Sequence, residues 1–409
     1  MQKNKDVRRK EKHEEAIDEL ALDFDAKVEA ATILIVNEPL TPPPLLWGGI
    51  GVGKTTFCEN LAHKLDMPFY QLPASHIDPA LLHGIPTANI EEKITSFFPP
   101  EFFAHSRTFL LIDEVNTAPE SVIASIMEAI RSRRIGSKVY EDLRVVLAAN
   151  PTRLAAGGFS LPLPLKNRVV HIDWDLPLSY FRAVTALPPF DRKKVTEKAP
   201  IPLAPEEEVR RRWARASGLV DAFLERFPHF YYEEEVIEEG AGRGEDVRAF
   251  GTPRTWDYVK VILAVFESVG ASPAATALAI LGTVGRAGYD FLAFLSNQNV
   301  PQPMEILTNP QHILTLPADV LYSSIFALVS FVAQNPDDEI VDKFFDVAAA
   351  LIEAKKHDYA ILLLDSLVSL LKAGHKIYFP LVSLQKLDMK VLMRARELIN
   401  QITGGMKGG

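Results

Sequence analysis

The chain has 409 residues, of which 47% are hydrophobic and 24% are charged, and it carries a formal net charge of −9 and one cysteine, Cys58. This length predicts two or three domains with hydrophobic cores, and a single cysteine excludes an internal disulfide framework. The acidic balance argues against binding nucleic acid across the body of the molecule, because phosphate contacts need clustered Lys and Arg. The sequence has neither an uncharged apolar run of membrane-spanning length nor the apolar core of a signal peptide, so we expect a cytoplasmic protein without membrane contact.

The chain begins with a charged segment over residues 1–28, in which six of the first twelve residues are basic. We interpret it as a solvated terminus, with a small anionic contact as the alternative. Residues 29–186 then alternate short apolar runs with helix-length segments, the pattern of a parallel sheet covered by helices. The predicted strands are "PLLWG", "PFYQL", "TFLLID", "LRVVLAAN" and "VVHIDW". The predicted helices between them include Lys54 to Leu65 and Pro119 to Arg131.

Past this α/β region the sequence becomes proline-rich and then helical. The predicted parts are a proline-rich and acidic connector with a helix over 187–250, a helical lid over 251–300, a helical C-terminal region over 301–403 and a disordered tail over 404–409. Within the connector, the pattern predicts a helix from Glu206 to Phe227 and an acidic, glycine-rich loop over 231–250.

The stretch "LLWGGIGVGKTT" fits the pattern G-x-x-x-x-G-K-[ST] between one apolar strand and one helix, which is the context that this motif requires. Its glycines allow backbone N–H groups to turn inward around phosphate oxygens, and the N-terminus of the following helix adds a partial positive charge. We expect Lys54 to reach the β- and γ-phosphates of a nucleotide and the Thr55 hydroxyl to bind Mg²⁺. The predicted phosphate-binding residues are Gly48, Gly49, Ile50, Gly51, Val52, Gly53, Lys54, Thr55 and Thr56.

Two further strands end in polar residues that suit nucleotide hydrolysis. In "TFLLIDEVN", Asp113 and Glu114 follow four apolar residues at the carboxyl end of a strand, where open α/β sheets bind ligands. Asp113 is expected to hold Mg²⁺, and Glu114 to polarise the water that attacks the γ-phosphate. Asn150 ends the strand "LRVVLAAN", where a neutral amide can orient that water without adding charge beside Glu114.

Two arginines complete the candidate set. Arg168, in "LPLPLKNRVV", ends a polar turn just before a strand, and an arginine beside a γ-phosphate neutralises transition-state charge. A surface arginine is an equally good reading of Arg168 from the residues alone. Arg254, in "FGTPRTW", lies in the first turn of a helix and could fold back onto the nucleotide from a second domain.

The order of these motifs resembles that of the AAA+ ATPases, and within them the MoxR-like branch. The similarity is greatest over "HIDPALLHGIPTANIEEKITSFFPPEFFAHSRTFLLIDEVNTAP", where the family inserts a β-hairpin after the second strand, and over "SIMEAIRSRRIG", its next helix. The resemblance implies an AAA+ P-loop sheet followed by an α-helical lid. The sequence departs from the family at "VYEDLRVV", which leaves little room for the hairpin usually found before Asn150, so we expect any pore-facing element there to be short.

The resemblance also implies how such a protein works. Family members form rings, usually hexamers, with ATP bound between subunits. Lys54, Asp113, Glu114 and Asn150 are then expected to act on the subunit's own ATP, Arg254 to fold onto the same nucleotide as a sensor, and Arg168 to act on the neighbour's ATP. The implied partner is a client or adaptor protein, with a von Willebrand factor A domain as one candidate.

Two other functions are compatible with the motifs. A nucleic-acid-processing or phage-defence motor would need a basic pore-lining set, for which Arg131, Arg133, Arg134 and Lys138 are the candidates. A small-molecule P-loop kinase fits less well with the long helical C-terminal half. That half is expected either to cap the lid or to dock the partner protein.

Overall fold

The computed structural model describes residues 23–78, 84–91, 93–98, 107–135, 138–151, 160–186, 200–242, 247–372 and 374–375. These residues fall into two compact units, which are described separately. The first holds the described residues up to Ala204 together with Phe230–Asp290, and the second holds Pro205–His229 together with those from Phe291 onward. Most of the expected N-terminal segment, much of the proline-rich stretch and the expected disordered tail lie outside the described residues.

The strands found among the described residues all belong to the first unit. They are β1 (Pro44–Trp47), β2 (Phe69–Pro73), β3 (Ile85–Asn89), β4 (Ile94–Phe98), β5 (Arg107–Asp113), β6 (Arg134–Ile135), β7 (Lys138–Val139), β8 (Asp142–Ala149) and β9 (Val170–Asp173). Five of them form a parallel sheet in the order β2-β5-β8-β1-β9. The five predicted strands are confirmed, because uninterrupted apolar runs suit strands that are covered on both faces.

The first α-helices alternate with the strands, and those after β9 follow one another directly. They are α1 (Phe24–Val36), α2 (Lys54–Lys64), α3 (Glu120–Ser132), α4 (Leu163–Lys166), α5 (Leu178–Thr185), α6 (Glu206–Arg226), α7 (Glu234–Gly242), α8 (Pro253–Ser268), α9 (Pro273–Val284), α10 (Ala287–Leu295), α11 (Pro303–Thr308), α12 (His312–Thr315), α13 (Ala318–Gln334), α14 (Asp338–Glu353) and α15 (His357–Lys372). None of the described helices is long and apolar enough to cross a membrane.

The core of the sheet lies between its strands and α3. Val122, Ile126 and Ala129 recur at helical spacing on α3 and are buried. Val122 and Ile126 belong to one apolar cluster with Leu45 and Trp47 of β1. The strand that precedes the glycine-rich loop is therefore held rigidly by the same core that anchors α3.

Two hairpins are separate from the five-stranded sheet. The first pairs β3 with β4, in the region where the resemblance implies an inserted hairpin. The second pairs β6 with β7 through only two residues on each strand, as expected from the short "VYEDLRVV" segment.

The connector differs from the expectation at two places. The loop expected over 231–250 contains α7, whose first turn holds Glu234 and Glu235. Acidic residues there complement the helix dipole, and this favours a helix in a segment that composition alone assigns to a loop. The predicted helix α6 is confirmed, but it packs within the second unit, where Gly218 lies so close to Ala327 of α13 that an added Cβ would collide with its backbone.

The second unit has its own hydrophobic core. It is built from helices α11 to α15 and includes the fully buried side chains of Ile325, Leu328, Phe344 and Leu363. This packing accounts for the high apolar content of the C-terminal sequence, because one exposed helix face could not carry it.

A buried ion pair fixes the position of the β6–β7 hairpin. Arg133, which directly precedes β6, donates to the Glu38 carboxylate at 2.7 Å and to the Leu143 carbonyl. The same carboxylate accepts from the Val145 N–H at 3.1 Å. Glu38 is only 2% exposed, and this burial raises its pKa to about 7 although Arg133 and Arg144 oppose the shift.

The titration of Glu38 should make the fold less stable as the pH rises from about 5 to about 7. The folded state holds the Glu38 proton up to a higher pH than the unfolded state, for which the reference pKa is 4.5. The free energy of unfolding should therefore fall across this interval, by roughly 3 kcal/mol if no other group compensates. Glu38→Gln removes the titrating proton and should flatten this part of the profile.

The measurement is denaturant unfolding at a series of pH values. Glu339→Gln, which removes an exposed acid from α14, is the control for the change in net charge. Equal pH slopes for the wild type and Glu38→Gln would contradict the assignment.

Candidate active site

The glycine-rich loop between β1 and α2 needs glycine for two separate reasons. Gly53 caps α2 with φ of +85°, in the left-handed region that side chains rarely adopt. Gly48 lies so close to Trp174 that an added Cβ would collide with its carbonyl oxygen. The N-terminus of α2 therefore opens directly onto a loop that lies against the end of the neighbouring strand β9.

Lys54 turns back over this loop. Its ammonium donates to the carbonyl oxygens of Gly48 at 2.7 Å and Gly49 at 3.0 Å, and to Oδ1 of Asn150 at 3.0 Å. Lys54 is 7% exposed. The structure thus brings together a loop lysine and an asparagine that are 96 residues apart in the sequence.

The charge of Lys54 is balanced by the two acids at the end of β5. Burial lowers the pKa of Lys54, whereas the negative charges of Asp113 and Glu114 act in the opposite direction. These two carboxylates are therefore close enough to Lys54 to interact with it electrostatically. The strand order explains this, because β8 lies between β1 and β5 and the carboxyl ends of parallel strands meet at one edge.

The two acids are held differently. Asp113 accepts from the Gln71 side chain at 2.9 Å and from the Glu114 N–H at 2.9 Å. Glu114 is exposed and has φ of +55°, a left-handed conformation that is costly for a residue with a long side chain. Its carbonyl oxygen accepts from the Thr117 hydroxyl and the Thr117 N–H, both at 2.8 Å, and these bonds help to hold the conformation.

Gln71 and Asn116 are site residues that the sequence reasoning missed. Gln71 lies on β2 and bonds to Asp113, and Asn116 donates from Nδ2 to the backbone carbonyl of Asn150 at 2.8 Å. The only sequence signal for Gln71 is a polar residue inside an apolar strand, and for Asn116 a polar residue two positions after Glu114. Neither signal names a partner, because both partners come from other strands.

The two arginines are near enough to each other for their charges to interact. Arg168 donates to the Pro164 carbonyl at 2.6 Å and approaches the sulfur of Met127 at 4.0 Å. Burial is the main cause that lowers the pKa of the Arg168 guanidinium, and the nearby positive charge of Arg254 lowers it further. Arg254 is exposed in the first turn of α8. Arg168 therefore contacts α3 and α4 through Met127 and Pro164, and its charge interacts with that of Arg254 on α8.

The residues around Lys54 are chemically suited to a nucleotide and its metal ion. The loop provides backbone N–H groups at a helix N-terminus, and Lys54 provides a cation that is already held among oxygen acceptors. The Thr55 hydroxyl and the Asp113 carboxylate are the hard oxygen ligands that Mg²⁺ prefers alongside phosphate oxygens. Glu114, with its exposed carboxylate, could act on a water molecule at the same edge of the sheet.

The chain was compared with known proteins in three ways. Residues 44–154 match the sequence model of the ATPase family associated with various cellular activities (AAA). No protein of curated function matches the sequence. Among solved structures, the chain is similar to the crystal structure of a candidate ATPase from Cytophaga hutchinsonii, with 16% identity and a TM-score of 0.41, over 65% of this chain and 88% of that chain.

The matched residues contain the P-loop, the strand of Asp113 and Glu114, and Asn150. This part of the chain is an AAA ATPase domain, and the protein is an ATP hydrolase. The resemblance to AAA ATPases noted from the motifs is thereby confirmed over residues 44–154.

Substituting Asn116 should slow hydrolysis without preventing nucleotide binding. Its Oδ1 has no hydrogen-bond partner among the described residues, so Asn116→Leu removes only the bond to the Asn150 carbonyl. We expect a loss of about 1–2 kcal/mol in stability. Without this bond the Asn150 backbone should be held less firmly. We expect kcat to fall by about tenfold, since small displacements in an active site are costly.

The measurements are steady-state ATP hydrolysis and fluorescent-nucleotide binding. Asn37→Leu is the control for structural damage: Asn37 is also a buried asparagine, in the turn after α1, and its amide donates to the carbonyls of Ile33 and Pro202 while its Oδ1 accepts from the Ala204 N–H, so its loss disturbs the fold at least as much. If Asn116→Leu and Asn37→Leu lower kcat to the same extent, the role assigned to Asn116 is wrong.

Proposed function

We propose that this protein is a MoxR-like AAA+ ATPase that forms a ring, with a hexamer as the expected assembly. The ring would use Mg-ATP hydrolysis to remodel or mature a partner protein. The observation that carries the ATPase chemistry is the meeting of Lys54, Asn150 and the acid pair Asp113–Glu114 at one edge of the sheet. The MoxR-like assignment is supported by the motif order and by the β3–β4 hairpin between the second and third sheet strands.

The roles of the residues follow from their surroundings. Lys54 would exchange its bonds to the loop carbonyls for bonds to the β- and γ-phosphates of ATP. A bound Mg²⁺, held through Thr55 and Asp113, would supply charge neutralisation at those phosphates. Glu114 would take a proton from the attacking water, and Asn150 would orient that water while remaining tied to Lys54.

The grouping of Arg168 with Arg254 supports an action on a second nucleotide. Arg168 donates a hydrogen bond to the Pro164 carbonyl of its own turn, and its charge interacts with that of Arg254. Two adjacent guanidinium groups form a site for an anion, and a ring places the γ-phosphate of a neighbouring subunit at such an interface. We therefore assign Arg168 to the neighbour's ATP. The motif order assigns Arg254 to the subunit's own nucleotide, and its proximity to Arg168 raises the alternative that it also acts on the neighbour.

The ion pairs made by the basic residues near the β6–β7 hairpin favour a protein client over nucleic acid. Arg131 pairs with Glu128 on the same helix, and Arg133 is committed to the buried Glu38. Two of the four candidate cations are therefore bound by carboxylates of the fold. The second unit, which has its own core and lies outside the matched ATPase residues, is the proposed docking element for a partner, with a von Willebrand factor A domain protein as the first candidate.

This choice of client can be tested directly by the effect of added partners on the rate of ATP hydrolysis. A purified von Willebrand factor A domain protein should bind the full chain and change the rate, whereas single- or double-stranded DNA should not. Stimulation by DNA alone would favour the motor of a nucleic-acid-processing complex instead.

Glu114→Gln should abolish hydrolysis while nucleotide binding is retained. The amide keeps the shape of the carboxylate but loses the charge that activates water, so ATP should remain bound and uncleaved. Lys54→Ala is the contrasting variant, because it removes the cation at the loop and should abolish binding as well. The readouts are phosphate release and fluorescent-ATP titration. Hydrolysis by Glu114→Gln at the wild-type rate would overturn the assignment of this carboxylate.

Arg168 should act between subunits. Arg168→Ala and Glu114→Gln should each be inactive alone, but mixed rings contain some interfaces with both groups intact, so mixing should restore part of the activity. Mixed assembly is verified by native mass spectrometry. Mixed rings that show no recovery would place Arg168 within its own subunit.

The same mixing experiment with Arg254→Ala tests which nucleotide Arg254 acts on. If Arg254 serves only its own subunit's nucleotide, mixing Arg254→Ala with Glu114→Gln should restore no activity. Recovery equal to that of Arg168→Ala would show that the two arginines act together on the neighbouring nucleotide.

A further inference from the structure

We propose that Asn167 and Thr252 form a clamp that positions Arg168 and Arg254 as one unit, so that the arginine turn and the N-terminus of α8 present their charges together. Both clamp residues are positioning residues, because they would act through the arginines rather than touch the nucleotide. The inference rests on the proposed function, in which these arginines bind phosphate.

The central bond joins two segments that are far apart in the sequence. The Thr252 hydroxyl donates to Oδ1 of Asn167 at 3.0 Å, across 85 positions of the chain. Asn167 directly precedes Arg168, and Thr252 lies two residues before Arg254. Thr252 is 4% exposed, so its hydroxyl has little access to water and the bond is costly to lose.

The other hydrogen bonds of Thr252 form the N-terminal cap of α8. Its Oγ1 accepts from the Thr255 N–H at 3.2 Å, and the Thr255 hydroxyl oxygen accepts from the Thr252 N–H at 2.8 Å. This reciprocal cap fixes the first turn of α8, which carries Arg254. The Thr252 hydroxyl, which also lies 3.1 Å from the Thr255 hydroxyl, therefore joins a rigid helix start to the arginine turn.

A second bond runs parallel to the first. Lys166, which is 2% exposed, donates from its ammonium to the Val247 carbonyl at 2.8 Å. The two residues before Arg168 are thus tied to the segment that leads into α8, one through a side-chain cation and the other through a side-chain amide. Two links hold the turn more firmly against rotation than either one alone.

The charges explain why such a clamp is needed. Arg168 and Arg254 repel each other, and Arg131 adds a third positive charge nearby, which is partly offset by Glu128. Without a mechanical link, the two guanidinium groups would gain electrostatic energy by separating. The clamp holds them together before any phosphate arrives, which is the preorganisation that transition-state stabilisation requires.

Asn167→Leu tests the clamp, because leucine has a similar size but cannot accept the Thr252 proton. In the full-length protein we expect kcat for ATP hydrolysis to fall by about 10- to 100-fold, since the loss acts on geometry in the transition state. The KM and the affinity for fluorescent ATP should change by no more than about twofold, because the subunit's own P-loop is intact. Thr252→Ser keeps both the cap and the link and should retain activity.

Asn335→Leu is the matched control for a purely structural role. Asn335 follows α13 as Asn167 follows α4, and its amide donates to the Phe331 carbonyl at 3.0 Å. Both variants should lower the thermal midpoint, but only Asn167→Leu should lower kcat. Wild-type kcat in Asn167→Leu, or the same loss of kcat in Asn335→Leu, would overturn the clamp.

The same assays separate this inference from the proposed function. If Glu114→Gln and Arg168→Ala lower hydrolysis but Asn167→Leu does not, the clamp alone is refuted. If Glu114→Gln and Arg168→Ala leave hydrolysis unchanged, the proposed function fails, and the clamp fails with it.

Discussion

Lys54 carries a positive charge into a loop where only 7% of the residue is exposed, and the rest of the site is arranged around that charge. Burial opposes the charged form, while two loop carbonyls, the Asn150 amide and the acids at the end of β5 favour it. A buried cation without such partners would be strongly destabilising. The site is thus a set of oxygen atoms that the fold has already directed at one ammonium group.

The sheet is what makes this arrangement possible. Its order places the ends of β1, β8 and β5 next to one another, so three stretches of chain deliver their polar residues to the same edge. Asn116 and Gln71 then hold the backbone of Asn150 and the carboxylate of Asp113. The left-handed backbone at Glu114 fits this setting, since strained conformations persist only where the surroundings determine them.

The arginines form a second charged centre with different constraints. Around Lys54 opposite charges meet and stabilise each other, whereas Arg168 and Arg254 carry like charges that must be held together by other means. The bonds from Thr252 to Asn167 and from Lys166 to Val247 provide that restraint. In the proposed function, the centre around Lys54 is complete within one subunit, and the arginine centre serves the phosphate of a neighbouring one.

The sequence by itself determined the five sheet strands, the P-loop, and the residue types at each strand end, because these depend on local apolar runs and on backbone chemistry within a few residues. It did not reveal Gln71, Asn116 or the link between Asn167 and Thr252, since each depends on a partner from a distant segment. Only the tertiary structure placed α6 in the helical unit, where Gly218 allows close contact with Ala327. Long-range contacts of this kind are set by how whole elements pack, and no local pattern encodes them.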